Sequence, residues 1–200
     1  MALNFANNNS LSAITSLPAS ISGGGMTLIS TQTASSSSTI DFTSGIDDTY
    51  DSYVFKFIDI HGSSDDTFFQ VNFRDGGTNY DATKTTSVFR TYHFEDDSTS
   101  ALAYVADHDL QQSTGVQKIA QGISTDNDHC VVGFLKLFSP NNSTFVKHFI
   151  VNTQNVHATN ASYEWFVSGY NNTTNIIDGA QFSMSAGAIE SGVIKLYGIS

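Results

Sequence analysis

The sequence predicts an all-β protein whose short strands pack as a sandwich, or close as a barrel, around a single core. Three observations carry that expectation. Segments of about four to eight residues alternate aromatic or β-branched side chains with polar ones, which is the two-residue period of a pleated strand. Runs of Gly, Asp, Asn and Ser punctuate these segments at near-regular spacing, and such residues favour turns. Hydrophobic residues make up 40% of the 200, with 15 Phe and 8 Tyr, so one chain can fill a sizeable core.

Taken in order, residues 1–37 stand apart as an N-terminal arm and linker that includes a first strand, and residues 38–200 form the β domain. The arm is rich in Asn and Ser, is broken by Gly23-Gly24-Gly25, and carries Leu3, Phe5, Leu11, Ile14 and Leu17. These apolar residues are too many for a purely solvated tail, so they are read as anchors that dock on a partner surface or on the protein's own domain. Met26 to Ser35 alternates as a first strand. Ile40 to His61 reads as a strand, an acidic turn at Asp47, Asp48 and Asp51, and a second strand through Tyr53, Phe55 and Phe57. Gly62 to Asp66 is a turn, Thr67 to Arg74 a strand, and Asp75-Gly76-Gly77 a strong turn signal. Ser87 to Phe94 is another strand. From Ser98 to Ser124 the apolar spacing of Val116, Ile119, Ala120 and Ile123 is helical, which predicts one long connection with a short helix over 114–121. Strands then follow at Cys130 to Phe138, Thr144 to Asn152, Ser162 to Tyr170, Ala180 to Ser185 and Gly192 to Ile199, for a total of about eight or nine.

Charge narrows the function. Eight Lys and Arg against 19 Asp and Glu leave a net charge of −11, which repels a phosphate backbone and argues against nucleic acid and anionic membranes as partners. Nothing approaches the roughly 18 apolar residues of a membrane span. The N-terminus lacks the pattern of a signal peptide, so synthesis in the cytoplasm without export by such a signal is expected. Cys130 is the one cysteine; it cannot form an intrachain disulfide or a thiolate zinc site and is read as a small core residue.

Candidate chemistry is sparse. Paired Asp residues sit where turn chemistry already favours them, and Asp126 and Asp128 are the pair best placed to offer oxygen ligands to calcium. The six histidines lack the spacing of helical zinc motifs. There is no nucleophile elbow or phosphate loop, and only Glu95, Glu164 and Glu190 supply glutamates for a glycosidase pair. No catalytic residue, metal or cofactor is assigned. Trp165, within Tyr163-Glu164-Trp165-Phe166-Val167, is the candidate glycan-stacking platform, although alternation favours the core for it.

Several stretches resemble virion structural proteins of tailed marine phages, chiefly of cyanobacteria. They are Met1-Ala2-Leu3-Asn4-Phe5, the segment from Phe42 to Asp47 and on through Tyr53 to Phe57, Phe145-Val146-Lys147-His148-Phe149, and the closing Ser191 to Ile199. The resemblance implies a single jelly-roll-like antiparallel β-sandwich with an extended N-terminal arm and no enzymatic activity. It implies a capsid decoration or cement protein, assembled as a homotrimer, that docks on the major capsid protein or another virion protein. The alternative is a tail- or fibre-associated protein that binds host surface glycan.

Overall fold

The computed structural model describes residues 25–200. Leu3, Phe5, Leu11, Ile14 and Leu17 lie outside the described residues. Twelve strands follow one another: β1 (Thr27–Thr33), β2 (Thr39–Phe42), β3 (Ser52–Gly62), β4 (Thr67–Arg74), β5 (Lys84–Phe94), β6 (Ser100–Tyr104), β7 (Gln117–Ile123), β8 (Val131–Phe138), β9 (Lys147–His157), β10 (Ala161–Asn171), β11 (Gly179–Met184) and β12 (Ile189–Ile199). They form two antiparallel sheets, an eight-stranded one in the order β1-β12-β3-β8-β9-β10-β5-β6 and a four-stranded one in the order β2-β11-β4-β7.

Eight of these strands make a jelly roll. Its four antiparallel pairs are β1 with β12, β2 with β11, β3 with β8, and β4 with β7. The pairs alternate between sheets, as when one long hairpin is wrapped round a barrel. The other four strands are two insertions, β5–β6 and β9–β10, and both extend the same sheet beyond β8. The all-β jelly-roll expectation therefore holds, with twelve strands in place of eight or nine.

One local expectation holds and one is corrected. Ile40 to His61 is a strand, an acidic turn and a second strand, as expected; β2 and β3 belong to different sheets, so the acidic segment between them crosses the end of the sandwich. That segment is fixed by Asp47, whose Oδ1 accepts hydrogen bonds from the Thr49 amide and the Tyr53 hydroxyl, both at 2.9 Å. The Thr49 bonds first, then that of Tyr53, hold the Asp47 carboxyl below its ordinary range. The helix expected over 114–121 is strand β7, and the one helical turn nearby is a short 3-10 segment at Ala106–His108. The helical spacing arises from two register shifts opposite β4, between Thr67 and Phe68 and between Phe69 and Gln70. Each inserts an extra residue in β7 and resets its alternation, so Ile119, Ala120 and Ile123 are all buried.

The core lies between the sheets and is dominated by phenylalanine. Phe182 of β11 touches Phe55 and Phe57 of β3 at ring-centroid distances of 5.2 and 5.3 Å, Phe42 of β2 at 6.1 Å and Phe69 of β4 at 5.9 Å. Most of these pairs meet edge to face, the arrangement that aromatic quadrupoles favour. At the β7 edge, polar side chains of β9 reach across the sandwich. Thr153 Oγ1 donates to the Ile119 carbonyl and Asn155 Nδ2 donates to the Gln121 carbonyl, which satisfies backbone acceptors that an edge strand would otherwise leave open. Two lysines are fully buried. Lys84 donates to Asn72 Oδ1 and to the Ala82 carbonyl, the latter at 2.8 Å, and burial brings its pKa down to about 8. Lys147 donates to the carbonyls of Phe145 and Thr173 at 3.0 and 3.1 Å, and its pKa is lowered by the same cause.

Candidate functional site: an exposed sheet face

The four-stranded sheet covers one side of the eight-stranded sheet, and the other side of the large sheet faces outward. Strand register sets its side chains in rows. One row runs from Lys56 on β3 through Phe134 on β8, Asn152 on β9, Phe166 on β10 and Phe89 on β5 to Tyr104 on β6. The adjacent row carries Leu28, Tyr197, Val54, Lys136, Ile150 and Ser168 from β1 to β10. Phe89 and Phe166 stack face to face at 4.7 Å. Phe89 is 43% exposed, Ile150 47% and Tyr104 62%. An apolar strip of this extent, continuous over five strands, is the kind of surface that marks contact with another protein segment.

The strip's charge also differs from that of the rest of the molecule. Lys56 and Lys195 face each other across β3 and β12, with Lys136 nearby on β8; these two rows hold no carboxylate, and Glu164, in the next row along β10, accepts a hydrogen bond from Asn152 Nδ2 at 3.1 Å. The other acidic groups lie largely in turns. Thus Asp65 Oδ1 accepts from the Thr125 amide and hydroxyl at 2.7 and 2.8 Å, and Asp96 accepts from the Ser98 amide at 3.0 Å. These bonds hold both carboxyls below the usual range.

The candidates read from the sequence are placed elsewhere. Trp165 is fully buried, so it offers no stacking face to a glycan, and the core reading of this residue holds. It sits in a packed cluster on the inner face of β5 and β10. The Arg90 guanidinium lies 5.8 Å from the Trp165 ring and 5.3 Å from the Tyr163 ring. His108 stacks on Trp165 at 5.6 Å and His157 on Tyr163 at 4.3 Å. Burial is the leading cause that lowers the pKa of both histidines.

Asp126 and Asp128 lie in the turn that precedes β8. Their carboxylates flank His129 at 3.8 and 3.9 Å, and among the described residues no group of three or more His, Cys, Asp or Glu is arranged to hold a metal ion. Cys130 is half-buried rather than in the core, with Sγ 3.9 Å from Asp59 Oδ1; burial first, then Asp59, pushes its thiol pKa up.

Sequence reasoning missed the exposed face because Phe134 and Phe166 alternate with Leu135, Trp165 and Val167, and Phe89 follows Val88, so both sides of those strands read as core. Among the described residues no helix is long and apolar enough to cross a membrane. No family model, curated protein or solved structure matches the chain. The fold and the face together define its class, a jelly-roll domain with an extended apolar strip on the outer face of its larger sheet.

Proposed function

We propose that the chain is a non-enzymatic structural protein of a virion, a capsid decoration or cement protein of the tailed marine phages that its sequence resembles. The observation that carries this reading is the apolar strip on the outer face of the eight-stranded sheet, from Phe134 to Tyr104. Jelly-roll domains are common building blocks of viral shells, and a broad apolar strip with lysines grouped at one end suits contact between subunits better than capture of a small molecule. The partners are the major capsid protein or another virion protein, and other copies of this chain in a trimer. Such a protein works by adding contacts that exist only in the assembled shell, which favours that state by mass action. Acidic turns such as those at Asp65 and Asp96 give the exposed rim a negative charge that keeps finished particles apart.

Quantitative mass spectrometry of purified particles, with labelled antibody located by electron microscopy, tests the assignment. Decoration requires many copies spread over the head in fixed ratio to the shell protein. A few copies, or label confined to the tail, would overturn it. The alternative, a tail- or fibre-associated protein that binds host surface glycan through exposed aromatics, loses Trp165 as a contact because that residue is buried.

A further inference from the structure

We propose that two copies of the free protein close the outer faces of their eight-stranded sheets against each other, about a two-fold axis that runs along the strands between β9 and β10. The placement of the cations points to a second copy as the occupant. The chain has eight Lys and Arg, and five of them are engaged within the fold. Lys84 and Lys147 are buried, Arg74 pairs with Asp178 at 2.8 Å, and Arg90 donates to Gln121. Lys118 Nζ lies 3.2 Å from His108 Nδ1 and 4.2 Å from the centre of the Phe68 ring. The other three, Lys56, Lys136 and Lys195, stand together at one end of the outer face, and among the described residues no carboxylate is paired with them. The opposite end is acidic. The Val105 amide donates to the Val88 carbonyl and the Thr86 amide to the Leu110 carbonyl, both at 2.9 Å, so the segment from 105 to 110 holds Asp107 and Asp109 beside Ser87 of β5. Tyr104, the last residue of the outer row, donates its hydroxyl to Asp109.

A face with one basic and one acidic end complements itself when a two-fold axis reverses the order of its strands. From β3 to β6 the order is β3-β8-β9-β10-β5-β6, so the axis sets β3 of one copy over β6 of the other, β8 over β5 and β9 over β10. Lys56 then meets Tyr104 and the adjoining Asp109, Phe134 meets Phe89, and Asn152, whose amide is already bonded to Glu164, meets Phe166. In the row of Lys136, that ammonium comes over Ser87, next to Asp107 and Asp109. In the row of Gln154, its carboxamide comes over Glu164 of the other copy, a donor set opposite an acceptor. Apolar side chains thus meet in the middle and opposite charges at the two ends, which fixes the register. Six strands about 4.8 Å apart and three rows about 6.8 Å apart make a patch of about 29 by 20 Å. The pair covers roughly 1,100 Å² in all, enough for a specific contact at the small end of the range. The net charge of −11 on each copy opposes association elsewhere on the surface. The inference goes beyond the proposed function, because it names what covers the strip before another protein meets it.

The test is sedimentation velocity of the full-length purified protein over about 1 to 100 μM, the range that brackets a contact of this size. The 21.6 kDa chain should pass reversibly to a species of twice that mass as concentration rises. Lys56→Glu with Lys136→Glu makes both ends of the face acidic and should weaken the dimer at least about tenfold. Asp107→Lys with Asp109→Lys makes both ends basic and should do the same. All four changes in one chain restore opposite ends and should bring the dimer back, an outcome that mere damage to the fold would not give. Circular dichroism of each variant checks that the sheets are intact. A monomer at every concentration, a dimer indifferent to the charge reversals, or no recovery in the fourfold variant would each overturn the proposal. A trimer would overturn it too, while agreeing with the assembly proposed for the particle. Because the measurement is made on free protein, its outcome is independent of where the protein sits on a particle.

Discussion

At the scale of single residues, the two buried lysines and the glycines of the large sheet carry the sharpest expectations. Lys84 is charged in both folded and unfolded chains below about pH 8, so there the native state bears the full cost of burying the ammonium. Between about 8 and the model-peptide value of 10.5, the native chain releases the proton while the unfolded chain keeps it. Stability therefore rises with pH across that window, by about 3 kcal/mol. Denaturant titrations of wild type and Lys84→Met from pH 8 to 10.5 should diverge by that amount in favour of wild type; parallel curves would contradict it. Gly133 has φ +146°, and a Cβ there would lie 2.3 Å from the Asn152 carbonyl oxygen and 2.7 Å from Thr153 Cα. Both contacts are backbone of the paired strand β9 and cannot rotate away, so Gly133→Ala should cost about 2–4 kcal/mol in thermal or chemical unfolding. Neither position announces itself in the sequence. Lys84 and Lys147 look like ordinary surface lysines, because nothing local reveals that Asn72, Ala82, Phe145 and Thr173 supply the acceptors.

At the scale of elements, the two sheets are held by a hub rather than by evenly spread contacts. Phe182 meets aromatic rings from β2, β3 and β4 at once. Phe182→Ala should therefore lie at the upper end for an aromatic truncation, about 4–5 kcal/mol, whereas Phe94→Ala, at the periphery of the core, should cost clearly less; equal losses in chemical denaturation would argue against a hub. The elements also show what a sequence can and cannot say. Thr67 to Arg74 was legible to the residue, since alternation is clean and turn signals bound it on both sides. β7 was read as a helix because two bulges break its period, and bulges are set by the partner strand β4, not by β7 alone. Turn residues marked the chain reversal after Phe42 but could not say that β3 would join the other sheet.

For the molecule as a whole, the two-sheet class followed from patterning, because alternation with a buried side forces sheets to pack face to face. The exposed strip did not follow, because exposure is set by which side of the large sheet the small sheet packs against, and that depends on the whole topology rather than on any one strand. The jelly-roll order has a further consequence, for synthesis. β12 lies between β1 and β3, so two strands made early have no partner along one side until Ile189 to Ile199 leaves the ribosome. A nascent chain arrested before that point should remain open to pulse proteolysis, and release of β12 should confer resistance in a single step; resistance acquired gradually along the chain would contradict this. Folding of such long-range pairings belongs to the slow end of the single-domain range, about milliseconds to seconds. Vectorial delivery from the ribosome thus makes β12 a timer: the outer face of the large sheet cannot exist in finished form before that strand has emerged.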